Sequence, residues 1–210
     1  EGGPYRTTPF VQKAGSPLWY LLYLTNFKAA FTGIAPPVPL RVLWSLAIEE
    51  HFYLLFPLAV RFLDRRKLAW ALTGTVGVSL GFRIWLAATI PANIELPYLL
   101  TPARMDALAL GCLLTMTLRS GSALPSARWW SVGGILLLAG VGTTTGFYRG
   151  DPWLRTVGYT VIATAFAMLL GWVLLEQNRW TTAWLRIRPL RYLGTISYGV
   201  YVLHVAVSAV

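Results

Sequence analysis

The chain has 210 residues, of which 56% are apolar and only 12% charged, where a soluble domain carries roughly 25% charged residues. Ten tryptophans and ten tyrosines push the same way, and the formal charge is +10. This composition excludes a disordered chain, a fibrous repeat and an ordinary water-soluble enzyme. Basic chains bind polyanions, but here the Lys and Arg residues sit in short gaps between long apolar runs, which is the pattern of topology signals. Nucleic acid is therefore not an expected partner. The single cysteine, Cys112, lies inside an apolar run and cannot form an internal disulfide.

The polar opening EGGPYRTTPFVQKAGSP reads as a loop, without the basic and apolar regions of a signal peptide. A short apolar segment at 16–27 is too short to cross a bilayer alone, and the Pro-rich GIAPPVPLR, 33–41, reads as a connecting loop. Six runs then approach the roughly 20 residues that a helix needs to span about 30 Å of hydrocarbon. They are 44–63, 68–90, 98–118, 129–148, 153–175 and 192–210. Because the chain opens at Glu1 and stops at Val210 within an apolar run, both ends read as cut. The expected fold is all-α: a polytopic transmembrane bundle of about six spanning helices plus a partial N-terminal one, forming one partial domain over 1–210.

Charge in the loops sets the direction. Arg61, Arg65, Arg66 and Lys67 follow the first run, Arg119 and Arg128 flank the third loop, and Arg179, Arg186, Arg188 and Arg191 precede the last run. The intervening loops carry no basic residue (91–97) or only Arg149. Alternate basic loops belong in the cytoplasm by the positive-inside rule, so run 44–63 is expected to enter from outside and run 192–210 to return outward.

Ionisable side chains inside a bilayer are costly and mark function by default. Counting about 1.5 Å per residue, Glu49, Arg83, Arg104, Asp106 and His204 all fall roughly 7–12 Å below the outer surface. If their helices are neighbours, they form one polar chamber. Ser45, Glu49 and Tyr53 repeat every four residues as a polar stripe, and Ser197, Tyr201 and His204 form a second. Arg104 and Asp106, two apart, face different ways and are expected to pair with other helices rather than with each other. Ala103, Ala107 and Gly111 make a small-residue stripe suited to close helix contact. Arg155, near a helix end, is expected to snorkel to the outer surface. Glu50 and His51 point away from the Glu49 face, toward headgroups or a wet vestibule. No ligand spacing for a metal and no glycine-rich phosphate loop is present.

The segment WSLAIEEHFYLLFPL, 44–58, resembles the signature of the acyltransferase 3 family of integral membrane O-acyltransferases. TPARMDALALG, 101–111, is similar to the family's Arg-x-Asp…Gly helix, and LGTISYGVYVLH, 193–204, to its closing Ser-Tyr-x-x-Tyr-x-x-His helix. The resemblance implies transfer of an acyl group, often acetyl, from acyl-CoA to a hydroxyl of a cell-surface or lipid-linked carbohydrate. It implies a multi-pass protein of the bacterial inner membrane, in contact with membrane lipids, with acyl-CoA as donor substrate and no bound cofactor. Carried over by motif position, Glu49, Arg104, Asp106 and His204 become the candidate catalytic residues. Ser45, Tyr53, Arg83, Ser197, Tyr198 and Tyr201 become candidate substrate contacts.

Two departures from the family pattern matter. The family's catalytic histidine lies on its first transmembrane helix, followed by an arginine-rich motif, and both would precede Glu1, so 1–210 alone is expected to be inactive. His51 stands where the family more often has glutamine, but its helical face differs from that of Glu49, and it is not assigned the catalytic role. The chemistry needs a base for the hydroxyl proton and donors for the developing oxyanion. Glu49 suits the orienting of a histidine, as the acid does in a hydrolase triad, and Arg104 suits a phosphate or carbonyl oxygen. Basic cytoplasmic loops would attract the phosphates of acyl-CoA. The main rival reading is a glycan or lipid transporter or flippase, which also needs charges in a midmembrane path. A structural membrane subunit is the third.

Overall fold

The computed structural model describes residues 14–34, 36–37, 40–120 and 126–207. Most of the opening loop, parts of 33–41, the loop 121–125 and the end of the last run lie outside them. Every described element is helical: α1 (Leu18–Leu21), α2 (Thr25–Thr32), α3 (Leu43–Phe62), α4 (Arg65–Thr89), α5 (Leu96–Leu99), α6 (Met105–Leu118), α7 (Ala127–Thr145), α8 (Tyr159–Leu175) and α9 (Arg188–Val207). A π turn, Leu154–Gly158, leads into α8 without a break. The chain is an all-α membrane helical bundle. Among the described residues three helical stretches, Leu43–Phe62, Arg65–Thr89 and Leu154–Leu175, are long and apolar enough to cross a membrane.

Local chemistry explains the boundaries. The segment at 16–27 is not one helix, because Tyr23 takes a left-handed turn (φ 55°) between α1 and α2. Asp64 caps α4 by accepting the Lys67 N–H at 2.9 Å, and that bond holds its carboxyl below the usual carboxylate range. The expected run 98–118 is broken, with α5 and a tight turn at Thr101–Ala103 preceding α6. Pro102 contributes to the break: it lacks the N–H that would continue the ladder from α5, and the chain turns extended at Leu100 (ψ 132°). What remains, α6, has 14 residues and falls short of a full crossing.

Packing follows the order α4, α6, α8, α7, with α8 on α7 the largest interface. Close approach there depends on glycine. A Cβ on Gly134 would sit 2.9 Å from the Ala165 carbonyl oxygen and 2.8 Å from Leu169 Cγ. Gly134→Ala is therefore expected to cost about 1–3 kcal/mol by overpacking, seen as a lower melting temperature in detergent with activity unchanged below the melt. The Ala103, Ala107 and Gly111 stripe behaves differently from expectation. Ala103 is buried, but Ala107 is exposed, and nothing beyond the helix's own backbone lies within 4 Å of a Cβ on Gly111. Ala107 and Gly111 line a groove, and only Ala103 makes the close contact.

The solvent logic is that of a bilayer protein. Large apolar side chains such as Leu54, Phe62, Trp70 and Leu136 point outward, while Asn26, Arg83 and Asp106 are buried. Apolar groups gain little by avoiding lipid, so the polar groups take the interior, where they find partners. A small apolar core of Ala30, Leu86, Leu96, Leu100 and Ala103, with Phe27, Phe82 and Leu99 against it, fixes α2, α4 and α5 together. Arg155 departs from the sequence expectation. It does not snorkel but is buried, and its Nη1 donates to the Pro91 carbonyl at 3.0 Å. The π turn rolls it inward toward the 90–97 loop, which it holds in place.

Candidate active site

The five deep ionisable residues do not share one chamber. Arg83 on α4 is fully buried and reaches α6 and the start of α8. Its Nη2 donates to Asp106 Oδ2 at 2.8 Å and also to Thr160 Oγ1, its Nε donates to the Thr156 carbonyl at 2.8 Å, and its Nη1 to the Ala103 carbonyl. Thr160 Oγ1 donates to the same Asp106 oxygen at 2.7 Å. Asp106 thus pairs across helices, as its spacing from Arg104 indicates. The desolvation of both charges is offset by a dense set of hydrogen bonds. These two candidates form a pin through three helices.

Arg104 faces another way. Its guanidinium lies over the rings of Tyr159 at 4.9 Å and Tyr98 at 5.4 Å, within cation–π range. It lines a groove of about 490 Å³ with Tyr98, Tyr159, Ala107 and Gly111. Tyr98 also meets Trp44 at 4.6 Å and carries Arg149 on its ring at 3.8 Å. This aromatic and guanidinium stack was missed in the sequence. Its members come from four segments, and aromatics near helix ends read only as interface anchors.

Glu49 sits half-buried on the other side of α3 from Trp44, since residues five apart on a helix point in different directions. Among the described residues its carboxylate has neither hydrogen bond nor ion pair, in contrast to Asp106. One turn earlier, Ser45 Oγ hydrogen-bonds to Tyr201 Oη of α9 and also donates to the Val42 carbonyl at 2.9 Å. One member of each polar stripe therefore meets the other, where the start of α3 touches the end of α9. His204, one turn beyond Tyr201, keeps its Nδ1 2.5 Å from the Tyr201 carbonyl. Tyr53 and Tyr198 are exposed, and among the described residues Ser197 bonds to the Gly194 carbonyl of its own helix.

His51 does not face headgroups. Its Nδ1 lies 2.8 Å from Thr101 Oγ1, which accepts from Asn26 Nδ2 at 2.8 Å, and Phe27 packs on its ring. It borders an apolar cavity of about 650 Å³ between α3 and α4, with Leu54, Leu55 and Ser79. Among the described residues no group of three or more His, Cys, Asp or Glu side chains is placed to hold a metal ion.

A helical membrane bundle with a half-buried carboxylate on one polar face and a clamped arginine on the other is a scaffold for polar chemistry within a bilayer. The chain belongs to the acyltransferase 3 family, whose profile, described as an acyltransferase domain, matches residues 5–209. It is 31% identical over 180 residues to the O-acetyltransferase OatA of Staphylococcus aureus, covering 79% of this chain and 29% of that protein. It is 26% identical over 205 residues to the peptidoglycan O-acetyltransferase OatA of Listeria monocytogenes, covering 89% of this chain and 31% of that protein. The chain thus spans less than a third of the length of the curated relatives it matches. No solved structure matches it.

Proposed function

We propose that this chain is the membrane-embedded acyl-transfer part of a multi-pass O-acetyltransferase of the bacterial cytoplasmic membrane. It moves an acetyl group from acyl-CoA to a hydroxyl of a cell-wall carbohydrate. The observation that carries this reading is the family match through 5–209, with Glu49 of the WSLAIEE segment unpartnered among the described residues on a polar helix face. The similarity to an O-acetyltransferase and a peptidoglycan O-acetyltransferase supports acetyl as the group and a peptidoglycan hydroxyl as the acceptor.

In this reading the acceptor oxygen attacks the thioester carbonyl, the new C–O bond forms, the C–S bond breaks, and the departing CoA thiolate takes up the proton. The proton passes through a histidine that the family resemblance places on an earlier helix. Glu49 orients that imidazole and stabilises its charged form. Arg104, held between two phenol rings, offers its N–H edge to an anionic or carbonyl oxygen. Arg83 and Asp106 hold α4, α6 and α8 in register, and Ser45 with Tyr201 sets α9 against α3.

Expression of the full-length protein in a host lacking such an enzyme tests this reading. Ester-linked acetate released from purified cell wall by mild base is expected to rise well above the empty-vector level. Wall acetate at the vector level, with the protein present in membranes, would count against it.

A further inference from the structure

A separate cavity, of about 500 Å³, opens where the start of α3, the 90–97 loop and the 146–151 turn meet. The loop-charge pattern assigns this end of the bundle to the outside. Its walls include Trp44, Tyr98, Asn93, Glu95, Arg41 and Arg149. Resting on the acetyltransferase reading, we infer that this vestibule binds the acceptor, and that the acceptor is a sugar chain bearing a carboxylate.

The side chains carry the argument. Trp44 and Tyr98 form a tilted aromatic corner with ring centroids 4.6 Å apart. The Tyr98 ring carries Arg149, and the Trp44 indole is the apolar body on which the C–H face of a pyranose rests, with a polar handle at its edge. Around the corner stand one carboxamide, one carboxylate and two guanidinium groups, the planar donors and acceptors that match pairs of sugar hydroxyls. Asn93 is held in place because its Oδ1 accepts the Glu95 and Leu96 N–H groups at 3.1 and 3.2 Å, which leaves its amide N–H pair for a ligand.

Charge then narrows the ligand. Arg41 and Arg149 are exposed, and neither has a carboxylate partner among the described residues. Among the described lining residues Glu95 is the one acidic group against them, with Asp151 nearby in the 146–151 turn, and Arg104 packs on Tyr98. A neutral glycan has no use for this excess of positive charge, whereas a carboxylate accepts a guanidinium bidentately. Arg149 is also pre-positioned, stacked on Tyr98 at 3.8 Å, so little side-chain entropy is lost when it binds. An anionic lipid headgroup would use the arginines but would leave the aromatic corner empty. Arg155 tethers the 90–97 loop, which supplies Asn93 and Glu95 to the vestibule, through its bond to the Pro91 carbonyl.

The test uses the full-length protein in nanodiscs with two acceptors, an oligosaccharide carrying a carboxylate and the same oligosaccharide with that group reduced to an alcohol. Binding is read by saturation-transfer NMR and acylation by release of mild-base-labile acetate. The unmutated protein is expected to prefer the acidic acceptor by about tenfold or more in half-saturation. The double variant Arg41→Gln/Arg149→Gln is expected to bring that ratio close to one. A purely structural loss would weaken both acceptors equally and leave the ratio intact, and that result would overturn the proposal. So would equal binding of the two acceptors by the unmutated protein, binding of neither, or a preference that appears only when anionic lipid is left out of the disc. Selective binding of the acidic acceptor without acylation would keep the vestibule and reject the transfer reading instead.

Discussion

Glu49→Gln in the full-length protein is expected to lower acyl transfer by about 10²–10⁴-fold while membrane abundance stays normal. The amide keeps the size of the carboxylate, so the packing of α3 is preserved. Stability should also be little changed, because Glu49 has no hydrogen bond or ion pair to lose among the described residues. What disappears is the negative charge that would orient and stabilise an imidazolium at the moment of proton transfer. Glu49→Asp retracts the carboxylate by one methylene and should recover only part of the rate, since an orienting hydrogen bond is sensitive to displacements of about 1 Å. Rates of both variants, measured at matched abundance, decide the matter. Full turnover by Glu49→Gln, or by Glu49→Asp, would remove an orienting carboxylate from the mechanism.

Arg83→Met is expected to fail differently, through stability. It strips the counter-charge from Asp106, which lies in a dry interior. Breaking a buried pair from one side costs about 3–5 kcal/mol, because the remaining charge is left without compensation. The double variant Arg83→Met/Asp106→Leu removes both charges and should recover most of that loss. Thermal melts and size-exclusion profiles in detergent report it directly. A single variant as stable as the parent would show that the pair does not hold α4, α6 and α8. A stable double variant without acyl transfer would return Asp106 to the reaction itself.

These two residues also show what could be read from sequence and what could not. The stretches of helix were legible because an apolar run near 20 residues is far longer than a strand or a loop allows, and a helix is what satisfies its backbone in lipid. So was the outward pairing of Asp106, because two residues apart on a helix face different ways. The break before α6 was signalled by Pro102, but an average over 98–118 hides a single residue that lacks an N–H. Arg155 lay beyond sequence reasoning, since a π turn changes the direction of a side chain without changing the apolar pattern.

Direction around the bundle was not legible in the sequence. Glu49 lies on the polar stripe of α3 that also carries Ser45, whereas Arg104 turns to the Tyr98 stack. The vestibule was the least visible feature. Arg41, Trp44, Asn93, Tyr98 and Arg149 span more than a hundred positions of chain, and each alone reads as an ordinary loop or interface residue. The roles of Ser197, Tyr198 and His204 rest on motif position, with the Ser45–Tyr201 contact as the link that brings their helix to α3.

The central claim is transfer of an acyl group from a thioester to a sugar hydroxyl. It is tested most directly with the full-length protein reconstituted in liposomes, supplied with acetyl-labelled acetyl-CoA and a cell-wall glycan. Label in the glycan, labile to mild base and matched mole for mole by free CoA thiol, is the predicted result. Movement of unmodified glycan across the bilayer, with no thiol released, would contradict the account and leave a transporter in its place.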